Sequence, residues 1–118
     1  MLFIEYPKCS TCQKAKRFLE EHQMNFQDRN IVTETPTIKE LQEWIEKYNI
    51  DLGKLYNTSG IKYREQNLKE KRLTLSKEEQ IKLLSSDGML IKRPLLITDN
   101  QILIGFKEKE WKKLIEEE

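Results

Sequence analysis

Tyr6-Pro7-Lys8-Cys9-Ser10-Thr11-Cys12-Gln13-Lys14-Ala15 is the stretch that decides how this chain is organised. The apolar run Leu2-Phe3-Ile4 precedes it, and a pattern with helical periodicity follows it. A bulky run that ends at a proline indicates a strand, because proline has no backbone N–H to pair with a neighbour. Both cysteines of the protein lie in this stretch, three positions apart. The sequence therefore places a C-x-x-C motif where a strand meets a helix.

The residues that follow the motif predict a βαβ unit. Ser10 or Thr11 is expected to cap the helix, since hydroxyl side chains can accept a hydrogen bond from a first-turn amide. The helix is expected to end near His22-Gln23. Residues 26–31 alternate between apolar and polar side chains, which is typical of a second strand. A strand, a helix and a strand over so short a length predict a parallel βαβ unit.

The rest of the chain predicts a block of helices over about residues 35–88, followed by two strands and a helix. Thr37 and Ser76 each begin a capping-box pattern. Residues 61–71 predict one polar helix, and the segments before and after Asp99-Asn100 predict a β-hairpin. A length of 118 residues suits one domain with one core. We expect a single α/β domain over residues 1–118 with a mixed four-stranded sheet.

Composition narrows the function classes. Charged residues make up 35% of the chain and nearly cancel, which leaves a net charge of +1. This balance gives no global field for nucleic acid or for an anionic membrane. No apolar run approaches the roughly 20 residues of a membrane span. Met1 leads directly into the first strand without a signal-peptide pattern. We therefore expect a cytoplasmic protein that binds neither nucleic acid directly nor a membrane.

A C-x-x-C motif at the start of a helix favours thiol redox chemistry. The unpaired amides and the dipole of the first turn stabilise a thiolate there, and Lys8 adds a nearby positive charge. We expect Cys9 to be the nucleophile, because it is the more exposed cysteine and lies nearer the helix end. Cys12, one turn further on, is expected to resolve the mixed disulfide that Cys9 forms. Ser10 and Thr11, between the cysteines, are candidate substrate-binding residues.

Two other interpretations of the cysteines stay open. A zinc site needs about four ligands, and this chain offers two cysteines and the lone His22, which lies ten residues beyond Cys12. Such a site would therefore have to form between two chains. The second alternative is that both thiols are inert small residues of a folded core. A cytoplasmic protein with a C-x-x-C at a strand–helix junction favours the redox pair over both.

Two further stretches carry candidate site residues. Arg93 precedes Pro94 at the start of a predicted strand, where its guanidinium could steady a thiolate or bind an oxyanion or carboxylate. The alternative is a surface arginine with an ordinary carboxylate partner. Asn57 opens the polar loop Asn57-Thr58-Ser59-Gly60, which could line a pocket or simply connect two helices.

The C-x-x-C stretch, the helical block and Lys92-Arg93-Pro94 before a hairpin together resemble the arsenate reductase (ArsC)/Spx/MgsR family over about residues 2–111. The resemblance implies a thioredoxin-like fold, a reactive Cys9, and a cis Pro94 with Arg93 facing the cysteine. It implies no bound cofactor, with glutathione or another thiol as electron donor. Arsenate reductases of this family use a single cysteine and three arginines, whereas here only Arg93 matches an arginine. Asn57 and Gly105 fall near the other two positions.

The second cysteine resembles the Spx-like branch, in which a C-x-x-C acts as a redox switch and the protein binds RNA polymerase. Three functions follow as hypotheses. The first is a thiol–disulfide oxidoreductase that acts on a small-molecule or protein thiol or disulfide. The second is a redox-sensing regulator that binds RNA polymerase, and the third is an arsenate reductase. A vestigial thioredoxin-like domain is the inert alternative.

Overall fold

Four short strands form one mixed sheet in the computed structural model, which describes residues 1–117. The strands are β1 (Leu2–Glu5), β2 (Gln27–Asn30), β3 (Leu95–Ile97) and β4 (Ile102–Ile104). Their spatial order is β2-β1-β3-β4. β1 runs parallel to β2 and antiparallel to β3, which in turn runs antiparallel to β4. The predicted α/β class, the mixed four-stranded sheet and the thioredoxin-like arrangement are confirmed.

The sheet belongs to the first of two compact units, which we call the sheet unit: residues 1–30 together with the chain from residue 93 onward. It also contains two helices, α1 (Ser10–Glu21) and α6 (Glu108–Glu117). Side chains from β1, α1, β3 and α6 form its apolar core: Phe3, Ala15, Phe18, Leu19, Leu96, Trp111 and Leu114. This packing fixes where β1 ends and α1 begins, and that junction carries the two cysteines.

The helical unit comprises residues 31–92. Its α-helices are α2 (Ile38–Lys47), α3 (Ile61–Glu65), α4 (Leu68–Lys71) and α5 (Lys77–Ser86). Short 3-10 turns cover Leu52–Leu55, Arg72–Thr74 and Gly88–Leu90. The capping boxes predicted at Thr37 and Ser76 are confirmed, since each hydroxyl accepts an amide hydrogen bond three residues on and each glutamate at that position accepts one in return. That the two units make one domain stays a prediction.

The single helix predicted over residues 61–71 is wrong. The structure has two short helices there, α3 and α4, because Asn67 adopts the left-handed conformation with φ 51°. Asparagine tolerates that conformation better than most residues. Among residues 1–117 no helix has both the length and the apolar character needed to cross a bilayer.

Candidate functional site

Cys9 is the N-cap residue of α1. Its backbone is extended, with φ −85° and ψ 121°. Its N–H donates to the Tyr6 carbonyl at 2.9 Å, and its carbonyl accepts the Gln13 amide at 3.0 Å. The side chain is half-buried, and it carries a free thiol. A side chain at an N-cap lies beside the unpaired amides of the first helical turn, where negative charge is favoured.

The expectation that Ser10 or Thr11 caps this helix is wrong. Ser10 is already the first helical residue, and no side chain makes a capping hydrogen bond to α1. Both hydroxyl residues lie exposed on the first turn. The cap position therefore goes to a cysteine, a residue that stabilises a helix start less than serine does. Lys8, immediately before Cys9, is also exposed.

Cys12 differs from Cys9 in exposure. It lies one turn further along α1 and is completely buried, with a free thiol. Burial, and to a smaller extent a hydrogen bond with the Cys9 side chain, raises the pKa of Cys12 to about 12. A hydrogen bond with the Tyr6 backbone and the positive charge of Arg93 act in the opposite direction. Cys12 is thus a neutral thiol in contact with Cys9, and the predicted difference in exposure between the two is confirmed.

Arg93 and Pro94 lie in the same unit as the cysteines. The peptide bond between them is cis, as the resemblance implies, and Pro94 is buried. The Arg93 guanidinium carbon lies 5.4 Å from the centroid of the Tyr6 ring. Its positive charge lowers the pKa of Cys12, as the smallest of the influences on that thiol, and Tyr6 in turn accepts the Cys9 amide.

Asn57 belongs to the helical unit, where it holds its loop against the 3-10 turn at residues 88–90. Its N–H donates to the Leu90 carbonyl at 2.8 Å, and its side-chain amide donates to the Met89 carbonyl at 3.4 Å. Its own carbonyl accepts the Gly60 amide at 3.0 Å. These contacts account for a polar residue at this position, and its role in substrate binding stays a prediction.

Sequence reasoning missed Tyr6 as part of the site. It treated Tyr6 only as the end of the first strand, yet its backbone contacts both cysteines and its ring lies against Arg93. The available signal was an aromatic residue three positions before a cysteine, in a chain that also has an arginine before a proline. That signal becomes specific only once the fold has brought Arg93 to the motif.

Glu5, next to Tyr6 at the end of β1, is a second residue that the sequence did not single out. It is 3% exposed. Burial and a hydrogen bond with Asp28 raise the pKa of Glu5 to about 7. The Lys16 ammonium lies 2.8 Å from the Asp28 carboxylate and 3.8 Å from the Glu5 carboxylate. The three side chains form an acidic pair with one counter-ion, and near neutral pH the pair holds a proton.

Gly105 occupies a position near which the resemblance expects an arginine. Its φ is 78°, in the left-handed region that favours glycine. Its N–H donates to the Pro94 carbonyl at 2.8 Å, and its carbonyl accepts the Trp111 indole N–H at 3.1 Å. An arginine here would be strained. Within residues 1–117, no group of three or more histidine, cysteine or acidic side chains is arranged to hold a metal ion.

Comparison with known proteins connects this arrangement to a family. Residues 4–114 match the model of the ArsC family. The uncharacterized protein YusI of Bacillus subtilis is 49% identical over 113 residues, which cover 96% of each chain. The regulatory protein MgsR of the same organism is 30% identical over 114 residues, or 97% of this chain and 89% of MgsR.

A solved structure supports the same relationship. An ArsC family related protein from Bacteroides fragilis superposes with a TM-score of 0.90 at 48% identity, over 96% of this chain and 95% of the other. A pair of free thiols in this fold, one accessible at a helix N-cap and one buried beside it, forms a thiol-based redox centre. With a family model that spans nearly the whole chain and with relatives that match along its length, this protein belongs to the ArsC family.

Proposed function

We propose that the protein is a thiol–disulfide oxidoreductase in which Cys9 attacks and Cys12 resolves. The observation that carries the proposal is the asymmetry of the pair: an accessible Cys9 at the N-cap of α1, and a buried, neutral Cys12 hydrogen-bonded to it. An accessible sulfur at a helix N-terminus suits the attacking role, because a thiolate is favoured there. A buried thiol held against it suits the resolving role.

The proposed reaction transfers two electrons. The Cys9 thiolate attacks one sulfur of a substrate disulfide, which forms a mixed disulfide and releases the other half as a thiolate. Cys12 then loses its proton and attacks the Cys9 sulfur. The Cys9–Cys12 bond forms, the bond from Cys9 to the substrate breaks, and the second half leaves as a thiolate that takes up a proton. The substrate is reduced to two thiols and the protein is oxidised.

The remaining predicted site residues fit a substrate that carries negative charge. Arg93 and the exposed Lys8 supply positive charge on either side of the motif. The exposed Ser10 and Thr11 supply hydroxyls on the first turn. We propose a carboxylate-bearing thiol such as glutathione as the donor that returns the oxidised pair to the dithiol. Pro94, which is buried in the same unit as the cysteines, completes the proposed set of substrate contacts.

The test uses oxidised glutathione and three forms of the protein. Wild type is expected to end with a Cys9–Cys12 disulfide and no adduct. Cys12→Ser is expected to retain one glutathione on Cys9, because nothing resolves it. Cys9→Ser is expected to stay unmodified. Intact-mass spectrometry after an acid quench distinguishes these species. An adduct on Cys9→Ser, or an unmodified Cys12→Ser, contradicts the proposed roles.

A redox-sensing regulator is the second candidate, because MgsR, which matches along nearly this whole chain, is a regulatory protein. In that role the same two cysteines switch the affinity for a partner, with RNA polymerase as the proposed partner, and no turnover is needed. Capture of purified RNA polymerase by immobilised oxidised and reduced protein tests this candidate. Binding that depends on the redox state supports it, and the absence of binding in both states contradicts it.

Arsenate reduction, the third hypothesis, ranks below these two. Charge-assisted hydrogen bonds are the strong contacts that hold a multiply charged oxyanion. Of the three arginines expected for that reaction, the chain has Arg93, while Asn57 and Gly105 lie near the other positions. The left-handed backbone of Gly105 is compatible with this departure. Arsenate-dependent consumption of glutathione would restore this candidate.

A further inference from the structure

We propose that Tyr6 is a positioning residue for the resolving step: its ring fixes where the Arg93 guanidinium lies at the cysteine motif. The inference rests on the proposed thiol–disulfide function and assigns a residue to it that neither the motif nor the family match singles out. In the proposed role, the Tyr6 side chain does not contact the reacting sulfur atoms. It acts through Arg93.

The backbone of Tyr6 ties down both cysteines. Its carbonyl accepts the Cys9 N–H at 2.9 Å, which closes the turn between β1 and α1. A second hydrogen bond joins its backbone to the Cys12 sulfur and favours the thiolate form of that group. Tyr6 is thus a fixed point between the two sulfur atoms, and its own position is set by the end of β1.

The ring of Tyr6 makes the second contact of the proposal, with Arg93. The Arg93 guanidinium carbon lies 5.4 Å from its centroid, within the distance at which a cation is attracted to an aromatic face. Both side chains are half-buried, which makes such a contact stronger than one in open water. An arginine side chain has several rotatable bonds. A planar partner on a rigid turn therefore limits where its charge can lie.

Charge on Arg93 matters for Cys12 in particular. Cys12 must lose its proton before it can attack the Cys9 mixed disulfide, and burial opposes that loss. Among the groups that favour the Cys12 thiolate, Arg93 is the one with a full positive charge. Removing the ring takes away the aromatic contact that limits where the guanidinium lies. The thiolate form of Cys12 is then less populated at a given pH, so resolution slows. The rate of attack by Cys9 does not change, because Cys9 stays at the N-terminus of α1.

Substitution of the side chain separates the ring from the backbone contacts. Tyr6→Phe keeps the aromatic face and every backbone bond, and loses only the hydroxyl. Tyr6→Leu keeps the backbone bonds and removes the face. Tyr48→Leu is the matched control, because Tyr48 is also half-buried with a cation, Lys47, 5.1 Å from its ring centroid, but it lies in the helical unit.

The experiment measures the resolving step in a single turnover. Reduced full-length protein is mixed with oxidised glutathione, and acid-quenched samples are analysed by intact mass at several pH values. The appearance of the Cys9–glutathione species reports attack, and its decay to the internal disulfide reports resolution. We expect Tyr6→Leu to slow resolution about two- to five-fold at a given pH, from the usual strength of a cation–π contact. Its resolution profile should move to higher pH. Tyr6→Phe and Tyr48→Leu should match wild type.

A double substitution shows whether Tyr6 acts through Arg93. In an Arg93→Gln background, Tyr6→Leu should slow resolution no further, because the charge it positions is already gone. Equal additional slowing in both backgrounds contradicts the proposal, and so does a wild-type profile for Tyr6→Leu. If wild type itself never passes through a Cys9 adduct to an internal disulfide, the proposed function fails rather than the role of Tyr6.

Discussion

Two cysteines one helical turn apart differ here in the properties that govern thiol reactivity. Cys9 is accessible at a helix N-cap, whereas Cys12 is fully buried with a pKa raised to about 12. The difference follows from helical geometry: the N-cap lies at the helix end, and the position three residues on turns toward the sheet unit's interior. Spacing alone predicted which cysteine is the more exposed, but not that the buried one is neutral.

Alkylation follows directly from this difference. We expect iodoacetamide to label Cys9 in the native reduced protein and to leave Cys12 unlabelled until denaturant is added, because alkylation requires an accessible thiolate. Peptide mass spectrometry after timed quenching measures both sites. The Cys9→Ser variant serves as the control, since its remaining thiol should stay unlabelled under native conditions. Rapid native labelling of Cys12 in that variant would contradict the burial.

Glu5 makes stability depend on pH. Its pKa rises from 4.5 in the unfolded chain to about 7 in the fold, so the folded protein retains a proton that the unfolded chain has released. Stability therefore falls as pH rises through this interval, and the contribution is lost above about pH 7. At about 1.4 kcal/mol per pH unit, the full effect is about 3 kcal/mol.

Glu5→Gln tests this linkage, because glutamine is neutral at every pH and can still donate to Asp28. We expect the variant to match wild type near pH 4 and to be more stable by about 3 kcal/mol near pH 8. Urea titrations at the two pH values measure the difference. Glu21→Gln, an exposed change on α1, should show no such pH dependence. A constant difference between Glu5→Gln and wild type across this range would rule out the proton held by Glu5.

At the scale of elements, the N-terminus of α1 is less suited to stability than those of α2 and α5. α2 and α5 begin with complete capping boxes, and α1 begins with a cysteine that makes no capping hydrogen bond. The cap backbone is already extended, as a serine cap requires. The redox function proposed for Cys9 accounts for a residue that a stability optimum would not select there.

Cys9→Ser is therefore expected to stabilise the fold while it abolishes the proposed thiol chemistry. A serine hydroxyl can accept a first-turn amide, and such caps contribute about 0.5–2 kcal/mol relative to residues that lack an acceptor. Urea unfolding of Cys9→Ser measures the gain. Cys9→Ala is the matched control, since it removes the sulfur and adds no acceptor. A serine variant no more stable than the alanine variant would show that the hydroxyl does not cap.

The sequence predicted most elements because their signals are local. Thr37 and Ser76 carry their capping partners three residues away, so both helix starts were predicted correctly. The break at Asn67 was missed, because asparagine in a polar segment gives no signal as strong as glycine or proline. The cap of α1 was also missed, because the usual preference for hydroxyl side chains pointed to Ser10 or Thr11.

For the molecule as a whole, the pairings of β1 with β2 and of β3 with β4 followed from the predicted βαβ and hairpin units, but the site did not. Arg93 meets the cysteines only because β3 pairs with β1, and hydrophobic pattern does not specify that neighbour. The resemblance supplied it. Tyr6 and Glu5 escaped prediction for the same reason, since their partners Arg93 and Asp28 are brought to them by strand pairing.

Gly88 lies against Ile31, the first residue of the helical unit, so its substitution tests how the two ends of that unit pack together. A Cβ on Gly88 would lie 2.0 Å from the Ile31 carbonyl oxygen, a backbone atom that cannot move aside alone. We expect Gly88→Ala to destabilise the protein by roughly 1–3 kcal/mol or more, as overpacking does. Gly53→Ala is the control: its Cβ would come no closer than 3.2 Å to the flexible end of the Arg72 side chain. The denaturant midpoint of Gly88→Ala should be lower than that of the control variant. Equal midpoints would contradict the close approach of Gly88 to the Ile31 carbonyl.

The sheet unit is assembled from the two ends of the chain, with residues 31–92 between them. On the ribosome, β1, α1 and β2 emerge long before β3, so the edge of β1 that β3 will cover stays open through most of synthesis. An open strand edge is a template for wrong partners. The helical unit, which is continuous, can fold first. Arg93, whose charge acts on Cys12, is synthesised only after residues 31–92, so the nascent chain carries both thiols before it carries the cation of the site.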